Sequence, residues 1–342
     1  MTSNQRIQAF SALGSLLATE PQALTDMIET AQFANPWFTP ENVRQAVTAN
    51  LQLLKTENLN DWLQPYQQDF EKDNPKTVGL ILAGNIPMVG FHDILSCLIA
   101  GFNVQIKTSS DDKLLIPYFL KKLIEIEPVF EDKITLVDRL AKFDLIIATG
   151  SNNSSRYFEY YFKNVPHIIR KNRNSVAVIS GDETEADLYK LGHDIFDYFG
   201  LGCRNVSKLF FPQGYDYSRF FQAIESFSSI ANHYKYHNNY EYNKAIYLVN
   251  GDQHLDNGFL LLKKDERISS PLGVAYFEEY DDISQLAERL RADKDLIQCI
   301  VTDLKIVGSD SLVSFGNSQC PGLTDYADGI NIFDFLKANM FL

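Results

Sequence analysis

Cysteine is scarce in this chain. Cys97, Cys203, Cys299 and Cys320 are the four in 342 residues, widely spaced and without a C-x-x-C pair. That pattern argues against a disulfide framework and against a zinc site, so no metal is expected. It suits a reducing compartment, and a cytoplasmic location is the expectation. Basic residues are also outnumbered, 31 Lys and Arg against 44 Asp and Glu, for a formal charge of −13. Nucleic acid is therefore not an expected partner. No apolar run approaches the roughly 20 residues that span a bilayer. The first twenty residues lack the basic start and apolar centre of a signal peptide. What remains is an ordinary globular composition, 45% hydrophobic and 22% charged, long enough for two modest domains.

The most informative stretch is 76–123. Residues 78–83 (VGLILA) form a short, nearly all-apolar run, the pattern of a strand buried on both faces. Gly84 and Asn85 interrupt it, and Pro87 sits where a loop feeds a helix. Apolar spacing predicts a helix over 88–99, stopped at Gly101, then a strand over 104–106 ending at Lys107. Ser109 or Ser110 is placed to cap the next helix, with Asp111 and Asp112 in its positive first turn. This β-α-β-α order predicts a parallel sheet of Rossmann-like type, although no G-x-G-x-x-G fingerprint is present.

Before this unit, residues 1–70 carry helical spacing at 6–18, 22–32 and 40–54, the last started by Thr39 and Pro40. Trp37 and Trp62 are expected to dock this layer on the next. Beyond it, strands are predicted at 134–137, 145–148, 175–180, 207–211, 245–249, 274–277 and 299–301. Helices are predicted at 185–199, 217–230 and 283–290. Thr149, Gly150 and Ser151 follow an apolar strand, at the end where open α/β sheets bind ligands. The expected domains are a helical layer over 1–74, a cofactor domain over 75–185, a catalytic domain over 186–305 and a C-terminal segment over 306–342.

AGNIP (83–87), a helix, then AGFNVQIKTSS (100–110) resembles the aldehyde dehydrogenase superfamily, which has PWNFP, a helix, then AAGNTVVLKPSE. The likeness is nearer to the fatty acyl-CoA reductases of bacterial bioluminescence, a short branch of that superfamily. It covers about 75–336, and 1–74 match only weakly. The fold implied is α/β and aldehyde dehydrogenase-like: a Rossmann-like parallel-sheet cofactor domain plus an α/β catalytic domain.

The resemblance also implies roles. FGLGCRNVSKLFF (199–211) matches the nucleophile segment, with Cys203 as the nucleophile. A thiolate is nucleophilic near neutral pH and leaves readily. Arg204 would favour the thiolate if its side chain turns inward. Asn85 matches the asparagine that, with the backbone N–H of the nucleophile, holds the substrate oxygen. Ala83, Gly84, Lys107, Ser109, Ser110, Thr149, Gly150 and Ser151 match the cofactor-binding positions. Ser110 stands where the superfamily has the glutamate that reads the ribose in NAD. Its small hydroxyl leaves room for a 2′-phosphate, so NADPH is expected over NADH.

Two departures bear on the reaction. Hydrolytic relatives carry a water-activating glutamate in ELGGKSP, and the matching HIIRKNRNS (167–175) puts Ile169 or Arg170 there. Without that base, the implied direction is reduction of an acyl thioester to aldehyde. Ser270 replaces the glutamate of EIFGP that steadies the nicotinamide ribose. The expected partners are an acyl-CoA or acyl-protein thioester, with a homo-oligomer or an acyl-transferring enzyme as further options. The rival readings are an acyl-phosphate or semialdehyde-type reductase, with Arg170, Lys171 and Arg173 as an anion pocket, and a non-catalytic scaffold. The Phe- and Tyr-rich stretch 217–247 is a candidate acyl tunnel or ordinary core packing. His92 is read as a satisfied structural histidine.

Overall fold

Four helices lead the chain: α1 (Ser3–Leu17), α2 (Gln22–Ala34), α3 (Pro40–Leu53) and α4 (Thr56–Leu63). A capping box starts α1, in which Thr2 Oγ1 accepts from Gln5 N and Gln5 Oε1 accepts from Thr2 N. Thr39 Oγ1 accepts from Asn42 N and caps α3 at Pro40, as its sequence predicts. The short α4 was not foreseen. It buries Leu59, Trp62 and Leu63 on one side. The computed structural model describes residues 1–306 and 311–341, so 307–310 and 342, within the expected C-terminal segment, lie outside the described residues.

The first sheet follows. Its elements are β1 (Thr77–Ile81), α5 (Phe91–Ile99), β2 (Asn103–Lys107), α6 (Leu115–Ile126), β3 (Ile134–Leu136), β4 (Leu145–Thr149), α7 (Asn152–Phe162) and β5 (His167–Arg170). The strands run parallel in the order β3-β2-β1-β4-β5. From β1 the chain winds outward to β2 and β3, then returns to β4 and β5 on the other side. The order therefore reverses between β1 and β4, and their carboxyl ends open the crevice where such sheets take ligands. Arg6 of α1 is fully buried and donates to Ile99 O at 2.8 Å and to Asp73 at 3.0 Å. That places α1 against α5.

Two local expectations fail here. The helix expected from 88 begins at Phe91, because Met88 turns left-handed, with φ of 61°. Neither Ser109 nor Ser110 caps α6, which starts only at Leu115. Ser109 Oγ accepts from Asp111 N instead. Asp112 turns inward and accepts from Met88 N.

The second sheet is built from β6 (Asn174–Val178), α8 (Glu185–Phe196), β7 (Val206–Pro212), α9 (Tyr217–Ala223), α10 (Tyr234–Asn250), β8 (Leu255–Asp256), β9 (Leu261–Lys264), β10 (Val274–Tyr280), α11 (Ile283–Ala292), β11 (Ile297–Val301) and β12 (Leu312–Val313). Its order is β12-β11-β6-β7-β10-β9-β8, parallel except where β8 meets β9. The strand expected at 245–249 is the last part of α10. A five-residue apolar run is ambiguous, and the decisive pattern is the buried face Tyr236, Tyr240, Asn243 and Tyr247. The helix expected over 185–199 ends at Phe196. The one over 217–230 breaks at Ala223 into a 3₁₀ stretch.

The chain then returns to the first unit with α12 (Ile332–Asn339). Trp62 Nε1 donates to Tyr326 Oη at 2.8 Å, and its ring lies 4.4 Å from Phe333. The two units are Met1–Asn172 with Gly322–Leu342, and Arg173–Pro321. The structural division thus comes before β6, a strand earlier than the division at 185 read from the sequence. Among the described residues no helix is long and apolar enough to cross a membrane.

Candidate active site

In the first unit the candidate residues gather on three loops at the carboxyl ends of β1, β2 and β4. Asn85 is exposed on the loop after β1, and Lys107 is exposed at the end of β2. Leu82 N donates to Lys107 O, extending the strand pairing to the mouth of both loops. Gly84 is buried there, with Ala83 half-buried before it. A Cβ on Gly84 would sit 2.4 Å from Ser109 Cβ, so only glycine lets the two loops touch. Ser110, one residue on, is exposed.

Thr149 ends β4, one residue past Ala148, which pairs with Ile81 of β1, and is in register with Arg170 of β5. Gly150 follows, and Ser151 caps α7, its Oγ accepting from Ser154 N at 3.2 Å. The N-terminus of an eleven-residue helix therefore opens at the carboxyl end of the sheet. Such an end favours phosphate. Together with the Gly84 cradle and the exposed Lys107, these loops fit a dinucleotide.

Arg170, one of the two residues aligned with the glutamate of hydrolytic relatives, ends β5. Its Nη1 donates to Asp93 Oδ2 of α5 at 2.6 Å, and both side chains are 7% exposed. This buried ion pair was not anticipated; Asp93 and Arg170 are 77 residues apart, and no local pattern links them. His92, beside Asp93, has its Nε2 3.0 Å from Leu323 O and packs against Trp62, as a structural histidine does.

In the second unit, Cys203 is half-buried on the turn between α8 and β7. This turn is left-handed over much of its length: Tyr198, Phe199, Gly200 and Gly202 have φ of 53°, 60°, 75° and 94°. For the two non-glycine residues that conformation costs about 1–2 kcal/mol each. Several contacts hold it. Asn205 Nδ2 donates to Ile195 O at 2.8 Å, and Phe199 packs its ring on His233 at 4.1 Å. Buried Ser175 donates its Oγ to Cys203 O at 3.2 Å. Cys203 is thus fixed from the β6 side as well as from its own turn.

The other thiols differ. Burial pushes Cys299 up to about 11, and the nearby Arg204 charge opposes this only partly. Cys97 is fully buried and is raised by desolvation. Cys320 is exposed at its surface and raised by desolvation and by Asp197 and Asp194. Arg204 Nη1 reaches Ser318 O at 3.5 Å. Ser270 donates to Val274 O at 2.6 Å and lines a slot of about 20 Å³ with Phe199, Gly200 and Asn205. It therefore stands beside the Cys203 turn. Tyr236, Tyr240 and Tyr247 of the aromatic stretch are core residues of α10. Asn85 and Cys203 belong to different units.

The family's sequence pattern for acyl-CoA reductase (LuxC) matches residues 8–322. The chain belongs to that family. The match begins in α1, so it takes in the N-terminal helices that motif comparison paired only weakly. A long-chain acyl-protein thioester reductase of Aliivibrio fischeri is 26% identical over 172 residues, 45% of this chain and 35% of that protein. The matched stretch thus spans about a third of that relative's length.

Solved structures give the fold. Aldehyde dehydrogenase 21 of Physcomitrella patens, in complex with succinate, superposes with a TM-score of 0.69 at 10% identity, covering 97% of this chain and 79% of that one. A Mycobacterium tuberculosis aldehyde dehydrogenase complexed with NAD+ gives 0.62 at 14% identity, covering 84% and 70%. Aldehyde dehydrogenase C of Pseudomonas syringae, a mutant with NAD+ and octanal, also gives 0.62 at 14%, again over 84% and 70%. This acyl-CoA reductase family member therefore has the aldehyde dehydrogenase fold.

Proposed function

We propose that this chain reduces an acyl thioester, a fatty acyl-CoA or acyl-protein, to the aldehyde through a thioacyl intermediate on Cys203. The observation that carries the reading is that neither Ile169 nor Arg170, the two residues aligned with the hydrolytic glutamate, is a carboxylate, and that Arg170 is paired with Asp93. Cys203 attacks the acyl carbon as the thiolate, forming a C–S bond, and the donor thiolate departs with the electrons of the old one. No water need be deprotonated in that exchange. A nicotinamide cofactor, when bound, would supply the hydride to the acyl carbon, and Cys203 would leave as the thiolate when its C–S bond breaks to release the aldehyde. Asn85 is assigned the amide donor to the oxyanion, a role worth about 2.7–4 kcal/mol at comparable sites. Lys107, Ser109, Ser110 and the Ser151-capped end of α7 are assigned to the cofactor, with NADPH preferred.

Other carboxylates are poor substitutes for the missing base. Burial alone would raise Glu278, but hydrogen bonds from Arg289 and Lys208 outweigh it and hold the carboxyl below its ordinary value. Asp325 accepts from Gly322 N at 2.7 Å. The anion pocket of the rival reading is also weakened. Besides the Arg170 pair, Lys171 lies 2.8 Å from Glu159, and Arg173 donates to Lys294 O and Ile297 O.

The test is the lifetime of the acyl-enzyme. Acyl label on Cys203, formed without NADPH, should persist in buffer and be discharged far faster by added coenzyme A. Rapid release of free acid in plain buffer would mean that a base is present and that the chain is a hydrolytic aldehyde dehydrogenase.

A further inference from the structure

The loop bearing Asn85 and the loop bearing Lys107, Ser109 and Ser110 are joined at two points. Gly84 lies so close to Ser109 that a Cβ would overlap it. Four residues beyond Gly84, Met88 N donates to Asp112 Oδ2 at 2.9 Å. Asp112 is 3% exposed, and burial raises its carboxyl above the ordinary value, opposed only in part by the Met88 and Leu115 N–H groups. The bond from Met88 N fastens the turn that follows Asn85 to the loop after β2. Met88, the residue it holds, has a φ of 61°. A side chain in that region persists only where its surroundings impose it. The Asp112 bond is an evident constraint, because it captures the Met88 amide itself.

We infer that Asp112 is a positioning residue that couples occupancy of the Lys107–Ser110 loop to the placement of the Asn85 amide. The inference deepens the proposed function and rests on its assignment of both loops. Gripping a dinucleotide orders the loop after β2. Through Asp112 and the Gly84–Ser109 contact, that order passes to the loop after β1. Asn85 itself is exposed, so the geometry of its loop decides where its N–H points. A misplacement of about 1 Å at such a donor costs up to about 10²-fold in rate. Asp112 touches neither substrate nor cofactor in this reading.

Hydrogen exchange of the wild-type chain, with and without NADPH, provides the first test. Protection should rise in peptides covering 83–91 as well as in those covering 107–112. In Asp112→Ala the second response should remain and the first should be lost. In Asp112→Asn, which keeps an oxygen to accept from Met88 N, both should remain. Protection confined to 107–112 in the wild type overturns the inference, and this holds even if the Ala variant does not fold.

The second test is acylation of Cys203 by acyl-CoA. Asp112→Ala should slow it about 10–100-fold, Asp112→Asn should restore it, and the loss should vanish in an Asn85→Ala background. Additive losses would reduce Asp112 to a structural residue and overturn the inference. Coupled protection of both loops with no acylation of the wild type would overturn the proposed reaction while leaving the coupling intact.

Discussion

Arg170 Nη1 stands 2.6 Å from Asp93 Oδ2, with both side chains 7% exposed. The Arg170 charge at the end of β5 is thus neutralised within a buried pair. Two charges leave water to form it, so its net stabilising effect is small, but breaking it exposes one partner to the full desolvation cost. Arg170→Met should therefore destabilise the protein by about 3–5 kcal/mol. The double variant Asp93→Leu/Arg170→Met should recover most of that loss. Urea midpoints at unchanged slope measure both. Losses that simply add would show that the two residues do not act as a pair.

Cofactor choice should turn on Ser110. Its side chain is exposed on the loop after β2, three residues beyond Lys107. Fluorescence titration should find NADPH bound more tightly than NADH. Ser110→Glu should reverse the order, because a carboxylate accepts from the ribose hydroxyls and repels the phosphate. An unchanged preference in that variant would mean that another residue reads the ribose.

The four thiols should separate by alkylation. Cys203, half-buried, should be labelled first near neutral pH, and Cys320, exposed but with its thiol raised by desolvation and by Asp197 and Asp194, only as pH rises. Cys97 and Cys299 should stay unlabelled in the folded protein. Burial raises Cys299 from 9.0 to about 11, so the folded state binds this proton more tightly than the unfolded state. The associated stability is full below pH 9 and falls away as pH rises toward about 11. Mass mapping of alkylated peptides from pH 7 to 11 measures this. Substituting Cys203→Ala should abolish acyl labelling while leaving NADPH affinity within a few-fold. Acyl label that survives on another cysteine would refute the assignment.

How far the sequence reaches is seen by comparing neighbouring stretches. The run 78–83, its glycine break and the strand ending at Lys107 were readable, because a doubly buried strand and a glycine turn are local patterns. So were the strands at 145–148 and 207–211, and the turn that ends at Cys203. The run at 245–249 was misread. Five apolar residues fit either structure until the buried stripe Tyr236–Tyr240–Tyr247 is seen against β9 and β10.

By itself the sequence determined the family, the α/β fold and the chemistry available at each loop, since these rest on residue types in order along the chain. Only the tertiary structure decided the partners of buried charges. Asp112 reads as a first-turn helix residue, yet it reaches back 24 positions to Met88. Asp93 and Arg170 meet across 77 residues. Burial raises the free energy of an unpaired carboxylate wherever it lies, but which donor relieves it depends on which segments the parallel sheet brings side by side. That placement is set by the strand order β3-β2-β1-β4-β5, which no local pattern in the chain encodes.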